Sequence, residues 1–326
     1  MTAEESAVTS AEVGAFWAEQ VDAAPEGGLH RRDRVATRLR GVEVWDVEFS
    51  GADGHPVRGW LSVPASPAGA VVEFLPYGYG RGRPLDSPVW AACGFVHLVM
   101  DVRGQGSQWR SGDTPDPVGS GPSAPGFLTR GLHDPREHYL RRLTIDAVRA
   151  VDALSADPSA AQTPVFVTGR SQGGALALAA AGLAPRRART VAGAGVQAPF
   201  LAAFRQSART AATGPYTEIA EWGRMHPDRV ASAFRTLDHF DAIGFAERAS
   251  AVPVFFSIGM RDAVCPPESM EAVIAAHHGR KSVRRWPFAG HEAGATRDLE
   301  ALVAVAAALA HRDVDRALME WAHCVK

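Results

Sequence analysis

Hydrophobic and polar positions recur along this chain with two periods, and the changes of period divide it into elements. From Val42 to Phe49 the run VEVWDVEF changes face at every residue, as a half-buried strand does. Val57 to Val63 repeats the pattern after Asp53-Gly54, a dipeptide suited to a tight turn, so the two segments predict an antiparallel hairpin at the edge of a sheet. Ala70 to Leu75 and Phe95 to Val102 are continuously apolar instead, the pattern of strands covered on both faces. Further strands are expected at Val165 to Gly169, Thr190 to Val196, Val254 to Ile258 and Ser282 to Trp286.

Helical spacing separates these strands. Thr9 with Glu12 reads as a capping box opening a helix to about Val21, with Phe16 and Trp17 to dock it. Leu143, Ala147, Val151 and Leu154 share one face of a helix over Tyr139 to Leu154. An alanine-rich helical run begins at Ala175, and further helices are expected at Glu268 to His277 and about Thr296 to Ala310. The stretch from about Phe200 to Arg248 is mostly helical, with Phe204, Tyr216, Trp222, Phe234, Phe240 and Phe245 as anchors. It reads either as a cap-like insertion or as further core helices. Strands alternating with helices predict an α/β protein: a mostly parallel central sheet with helices on both faces. Residues 1 to 8 are expected to be disordered, and Ser107 to His133, dense in Gly, Pro and Ser, is expected to be a functional or contact loop.

Composition narrows this further. With 326 residues, 46% hydrophobic and 21% charged, the chain fits one large domain over 1–326, with an N-terminal helical extension at about 1–30 and the helical insertion at about 200–250. A net charge of -2 and the absence of long basic runs argue against nucleic acid as a partner. Cys93, Cys265 and Cys324 form no Cys-x-x-Cys pair and are odd in number, which suits a reducing compartment. The acidic start MTAEESAVTS is unlike a secretory signal, and no apolar run approaches a membrane span, so a cytoplasmic protein is expected.

The chemistry centres on Gly169-Arg170-Ser171-Gln172-Gly173, a Gly-x-Ser-x-Gly between a strand signal and a helix signal. That context makes it a nucleophile elbow: the serine sits on a strand-to-helix turn too sharp for side chains two residues to either side. A serine hydroxyl needs a base, and the base needs a third group to fix its tautomer. In the order serine, acid, histidine, Asp262 follows the penultimate strand and His291 the last one. Asp238 and Asp241 compete as acids but lie in helical sequence. His277, His278, His311 and His323 also lie in helical sequence and are explained without catalysis. The oxyanion donors expected are the main-chain N–H groups of Gln172 and of Tyr77, in the loop after an early strand. Neither glycine-rich loop, Tyr77 to Gly82 or Arg103 to Gly106, has the pattern of a phosphate cradle. There is no His-Glu-x-x-His, so neither a metal nor an organic cofactor is expected.

With those residues placed, the chain resembles the acetyl xylan esterases and cephalosporin C deacetylases of carbohydrate esterase family 7, which have the α/β-hydrolase fold. The resemblance rests on the block MDVRGQGSQWRSGDTPD, on Arg103-Gly104-Gln105, on Ser171-Gln172-Gly173-Gly174 and on His291-Glu292, and runs from about Phe16 to the C-terminal helix. It implies Ser171, Asp262 and His291 as triad, Tyr77 and Gln172 as oxyanion hole, and removal of acetyl groups from xylo-oligosaccharides and cephalosporin C without a metal. It also implies a homo-oligomer, a hexamer, with the Ser107 to His133 loop in subunit contacts. Two positions depart from the family pattern: Tyr79 stands where glycine is usual and Arg170 where a small residue precedes the nucleophile. A serine peptidase or longer-chain acyl esterase would use the same triad. A catalytically silent carbohydrate-binding protein is the alternative of a different class.

Overall fold

A computed structural model describes residues 7–118, 125–160 and 163–323. Residues 1–6, within the stretch expected to be disordered, and Cys324 lie outside the described residues. The chain opens with α1 (Ser10–Asp22), capped by Thr9 and Glu12 reciprocally as its sequence requires. The strands β1 (Leu29–Val35), β2 (Val42–Ser50) and β3 (Pro56–Pro64) follow as an antiparallel set. Asp53 and Gly54 both take positive φ, 56° and 76°, so the β2–β3 turn is the left-handed one their dipeptide suits.

The hairpin is therefore present but is not the edge. β1, reading LHRRDRV, pairs outside it and begins where the segment expected to be a helical extension ends. Its alternation is invisible because both faces carry charge: Arg31 pairs with Asp33, Arg34 with Glu43, and Arg32 with Asp157. A charged edge is also one that resists pairing with another chain.

The remaining elements are β4 (Gly69–Phe74), α2 (Val89–Ala92), β5 (Phe95–Met100), α3 (Tyr139–Ala156), β6 (Val165–Arg170), α4 (Gln172–Leu183) and β7 (Val191–Gln197). Then come α5 (Phe204–Thr210), α6 (Tyr216–Met225), α7 (Val230–Asp238), α8 (Ala242–Arg248), β8 (Val254–Gly259), α9 (Pro267–Ala276), β9 (Lys281–Trp286), α10 (Ala295–Ala310) and α11 (Val314–His323). Among the described residues the sheet has nine strands in the order β1-β2-β3-β5-β4-β6-β7-β8-β9. From β5 onward neighbours are parallel. Strand order reverses at β4: the chain leaves it for β5 on one side and returns through α3 to β6 on the other. The carboxyl ends of β4 and β6 thus border the crevice where open α/β sheets bind ligands.

Two apolar clusters cover the sheet. Trp90, Phe95, Phe166 and Phe255 meet Leu302, Val305 and Leu309 of α10 and Trp321 of α11 on one face. The larger cluster contains α3, α4 and the anchors Phe204, Tyr216, Phe240 and Phe245. The predicted face of α3 is buried, but so is every residue from Tyr139 to Leu154 except Arg141. Its charged residues are accommodated by pairing, as Arg142 does with Asp116 at 2.9 Å. α1 docks on the 200–250 helices: Trp17 packs edge-on against Phe240, and its indole N–H donates to the His239 carbonyl at 2.7 Å. α11 forms a separate helix because the chain breaks at Arg312, with φ 59°.

Candidate active site

β6 runs into α4 with one residue between them, Ser171, at φ 57° and ψ -122°. A non-glycine residue there carries strain on the order of 1–3 kcal/mol and is retained only where the surroundings hold it. The Ser171 N–H donates to the Gln197 carbonyl at 2.9 Å, and its own carbonyl accepts from Phe200 at 3.1 Å. A Cβ on Gly169 would lie 2.4 Å from the Gly173 carbonyl, and one on Gly173 would lie 2.1 Å from the Phe74 oxygen. Glycine at both flanks is thus forced by packing of the turn against itself and against β4. The helix begins at Gln172 rather than Ala175: Gly173 and Gly174 enter it despite poor helix propensity, because only they fit so close to β4 and β7.

Asp262 lies just beyond β8, fully buried in its side chain. One carboxylate oxygen accepts the N–H groups of Val264 and Cys265, at 2.8 and 2.9 Å. The other lies 2.8 Å from His291 Nδ1. The loop after β9 carries His291 across the end of β8, where Arg261 N–H donates to the Ala289 carbonyl at 2.9 Å and a Cβ on Gly259 would sit 1.9 Å from the Gly290 oxygen. Ser171 and His291 line one cavity of about 500 Å³. None of the competing residues lines it: Asp238 pairs with Arg205 and Asp241 caps α8, while His277 bonds to main-chain carbonyls.

Tyr77 and Gln172 flank the serine from β4 and α4. Among the described residues neither main-chain N–H has a hydrogen-bond partner, and that of Gln172 opens a helix, where the dipole favours negative charge. Gln105 ties the two segments together. Its carbonyl oxygen accepts the Gly78 N–H at 2.7 Å, and its amide nitrogen donates to Gln172 Oε1 and to the Tyr139 hydroxyl, both at 3.0 Å. Tyr139 in turn donates to the Arg103 carbonyl at 2.6 Å, and Arg103 grips Asp146 with Nη2 at 2.7 Å. Gly104, at φ 68°, makes the turn between them. The Arg-Gly-Gln segment therefore works as a buried polar brace.

The 200–250 helices supply one wall. The Tyr77 hydroxyl donates to Glu218 of α6 at 2.6 Å and accepts from Phe127 N–H at 3.0 Å. Burial, followed by the neighbouring carboxylate, pushes the phenol pKa upward, and burial also raises that of Glu218. Opposite, Tyr79 stacks on Trp109 with ring centroids 6.0 Å apart, and Trp109 is 70% exposed at the mouth. Arg170 also lines the cavity, so both positions that depart from the family pattern face it.

Sequence reasoning did not single out Cys265, Trp109 or Glu218. Cys265 is fully buried, and its sulfur, one Asp262 oxygen and one His291 nitrogen all lie within 4.8 Å of one another. Burial drives its thiol pKa well up, with the Asp262 charge adding to the rise and the Ser171 hydroxyl offsetting part of it. Its place three residues after the acid was the available signal.

Comparison with known proteins points the same way as this geometry. Acetyl esterase Axe7A of Xylanibacter ruminicola is 30% identical over 265 residues, 78% of this chain; the chain spans 57% of the length of that relative. The acetyl xylan esterase from Paenibacillus sp. R4 superposes with a TM-score of 0.80 at 32% identity, covering 91% of this chain and 95% of that one. Acetyl xylan esterase 1 from Thermoanaerobacterium sp. JW/SL YS485 gives 0.81 at 26%, covering 95% and 99%. The family profile for acetyl xylan esterase (AXE1) matches residues 5–307, and the chain belongs to the acetyl xylan esterase family.

Proposed function

We propose that the protein is a serine esterase that removes acetyl and similarly small acyl groups from xylo-oligosaccharides and from cephalosporin C-like esters. The observation that carries this reading is the meeting, in one cavity, of a strained elbow serine with a histidine held by a buried carboxylate. Ser171 is the nucleophile, His291 the base, and Asp262 the group that orients the imidazole and stabilises its cation. As Ser171 Oγ bonds to the acetyl carbon its proton passes to His291, and the oxyanion rests on the N–H groups of Tyr77 and Gln172. The sugar alcohol leaves with the proton from His291, and water repeats the sequence on the acyl-enzyme. The reaction uses side chains, main-chain donors and water alone, with no metal or organic cofactor. One such donor is worth about 3 kcal/mol in the barrier, so the brace behind it contributes to the rate alongside the triad.

Carbohydrate as the alcohol is supported by the Tyr79–Trp109 stack, an exposed aromatic face of the kind that packs on pyranose rings. We place the protein in the cytoplasm, acting on imported short sugars, as a homo-oligomer and specifically a hexamer. Exposed Val118, within Ser107 to His133, suits that loop to subunit contacts.

The reading is tested by Ser171→Ala together with an acyl-length series. The variant is expected to fold, lose turnover of p-nitrophenyl acetate and escape labelling by an active-site phosphonate. Retained turnover overturns the assignment. Acetyl esters are expected to be favoured over octanoyl esters and over aminoacyl amides, and the reverse preference would indicate the peptidase or long-chain alternative.

A further inference from the structure

We propose that Asp262, Cys265 and His291 form a site for a thiophilic divalent cation, zinc or cadmium, whose occupancy shuts down the catalytic centre. The inference rests on reading Asp262 and His291 as part of the triad, but the binding itself does not depend on turnover.

Cys265 follows Asp262 by three residues, and its N–H donates to the Asp262 carboxylate at 2.9 Å, so both side chains are fixed by one tight turn. The sulfur, a carboxylate oxygen and an imidazole nitrogen fall within 4.8 Å of one another, separations that a tetrahedral zinc closes with small side-chain shifts. Thiolate with imidazole suits zinc and cadmium and not magnesium or calcium, which take oxygen ligands. Three protein ligands leave a fourth position for water, and of the three His291 is the one that lines the cavity. His291 is 30% exposed in its side chain and lines that cavity, giving the cation a path inward.

Binding forms a sulfur–metal bond as the Cys265 thiol gives its proton to water; nothing is oxidised or reduced. A metal-bound imidazole no longer has the freedom to take the Ser171 proton. Occupancy therefore competes with catalysis without any change of fold.

The test compares the wild-type protein with Cys265→Ser, Cys265→Ala and, as a control, Cys93→Ser, which alters the exposed cysteine. Cadmium is titrated in the absence of substrate, following the thiolate-to-metal charge-transfer absorption, and p-nitrophenyl acetate hydrolysis is followed in parallel with magnesium as the hard-cation control. The wild type and Cys93→Ser are expected to show the band and to be inhibited by cadmium and zinc, reversibly with chelator. Both Cys265 variants are expected to lose the band and to need at least about tenfold more cation for half-inhibition, relative to their own uninhibited rates. Ser171→Ala is expected to keep the band while having no turnover, which separates the metal site from the esterase reading. A band that survives in both Cys265 variants, or equal sensitivity of all forms to cadmium, overturns the proposal.

Discussion

Replacing Gln105 by leucine keeps the side-chain volume close to the original and removes the three hydrogen bonds by which this side chain ties together the segments proposed to carry the oxyanion donors. Three contacts are lost: from Gly78 N–H, to Gln172 Oε1 and to the Tyr139 hydroxyl. The first two leave buried polar groups without those partners, and each such group costs about 1–3 kcal/mol, so the variant should be destabilised by roughly 2–6 kcal/mol. Catalysis should suffer independently. Gly78 adjoins Tyr77, whose N–H must point at a position defined to a few tenths of an ångström. Losing one oxyanion donor outright costs about 10²–10³ in kcat, so partial displacement should cost roughly 10–10². The assay is steady-state hydrolysis of p-nitrophenyl acetate with urea unfolding on the same preparations. Gln105→Glu retains an acceptor for Gly78 but not the two donors, and it should fall between wild type and leucine. A leucine variant with wild-type kcat and an unchanged urea midpoint would refute the idea that this glutamine holds the hole in shape.

Other expectations follow from the same geometry. Gly173→Ala drives a methyl to 2.1 Å from the Phe74 oxygen, so it should be inactive and destabilised by at least about 3 kcal/mol in urea unfolding. His138, whose pKa is depressed to about 3 first by burial and then by the Arg142 and His133 charges, is neutral in the fold. The unfolded chain takes up the proton near pH 6.5, so this stability is fully present above that value. It is lost as pH falls towards 3, at up to about 1.4 kcal/mol per pH unit. His138→Gln should flatten the urea midpoint against pH over this window. Trp109→Ala should lower kcat/KM for acetylated xylo-oligosaccharides several-fold and leave p-nitrophenyl acetate nearly unaffected. Equal losses on both would remove the aromatic lip from sugar binding.

The strands of the parallel sheet were readable because burial on both faces leaves continuous apolar runs such as FVHLVM in β5, and two-sided burial is a property of composition. The elbow was readable for a different reason: its glycines answer contacts so close that other residues are excluded. β1 was not readable, since a strand whose partners are charges has no apolar period to find. The start of α4 was misplaced because helix propensity speaks against Gly173 and Gly174, and tertiary packing outweighs it. Asp262 and His291 could be chosen from chain order. The work of Gln105 could not, because a glutamine that spans three segments looks like any other until those segments are folded together.

The docking of α1 also bears on how the molecule is made. Trp17 contacts His239 across 222 positions, and Val8 N–H meets Asp238 across 230. During synthesis the first helix emerges long before its partner has been translated, and for much of that interval its aromatic face has nothing to lie against. Contacts so distant along the chain form late and slowly. The aromatic face of α1 should therefore be a holding point for chaperones, and a ribosome-bound chain stopped before residue 238 should be digested at α1 far faster than the finished protein.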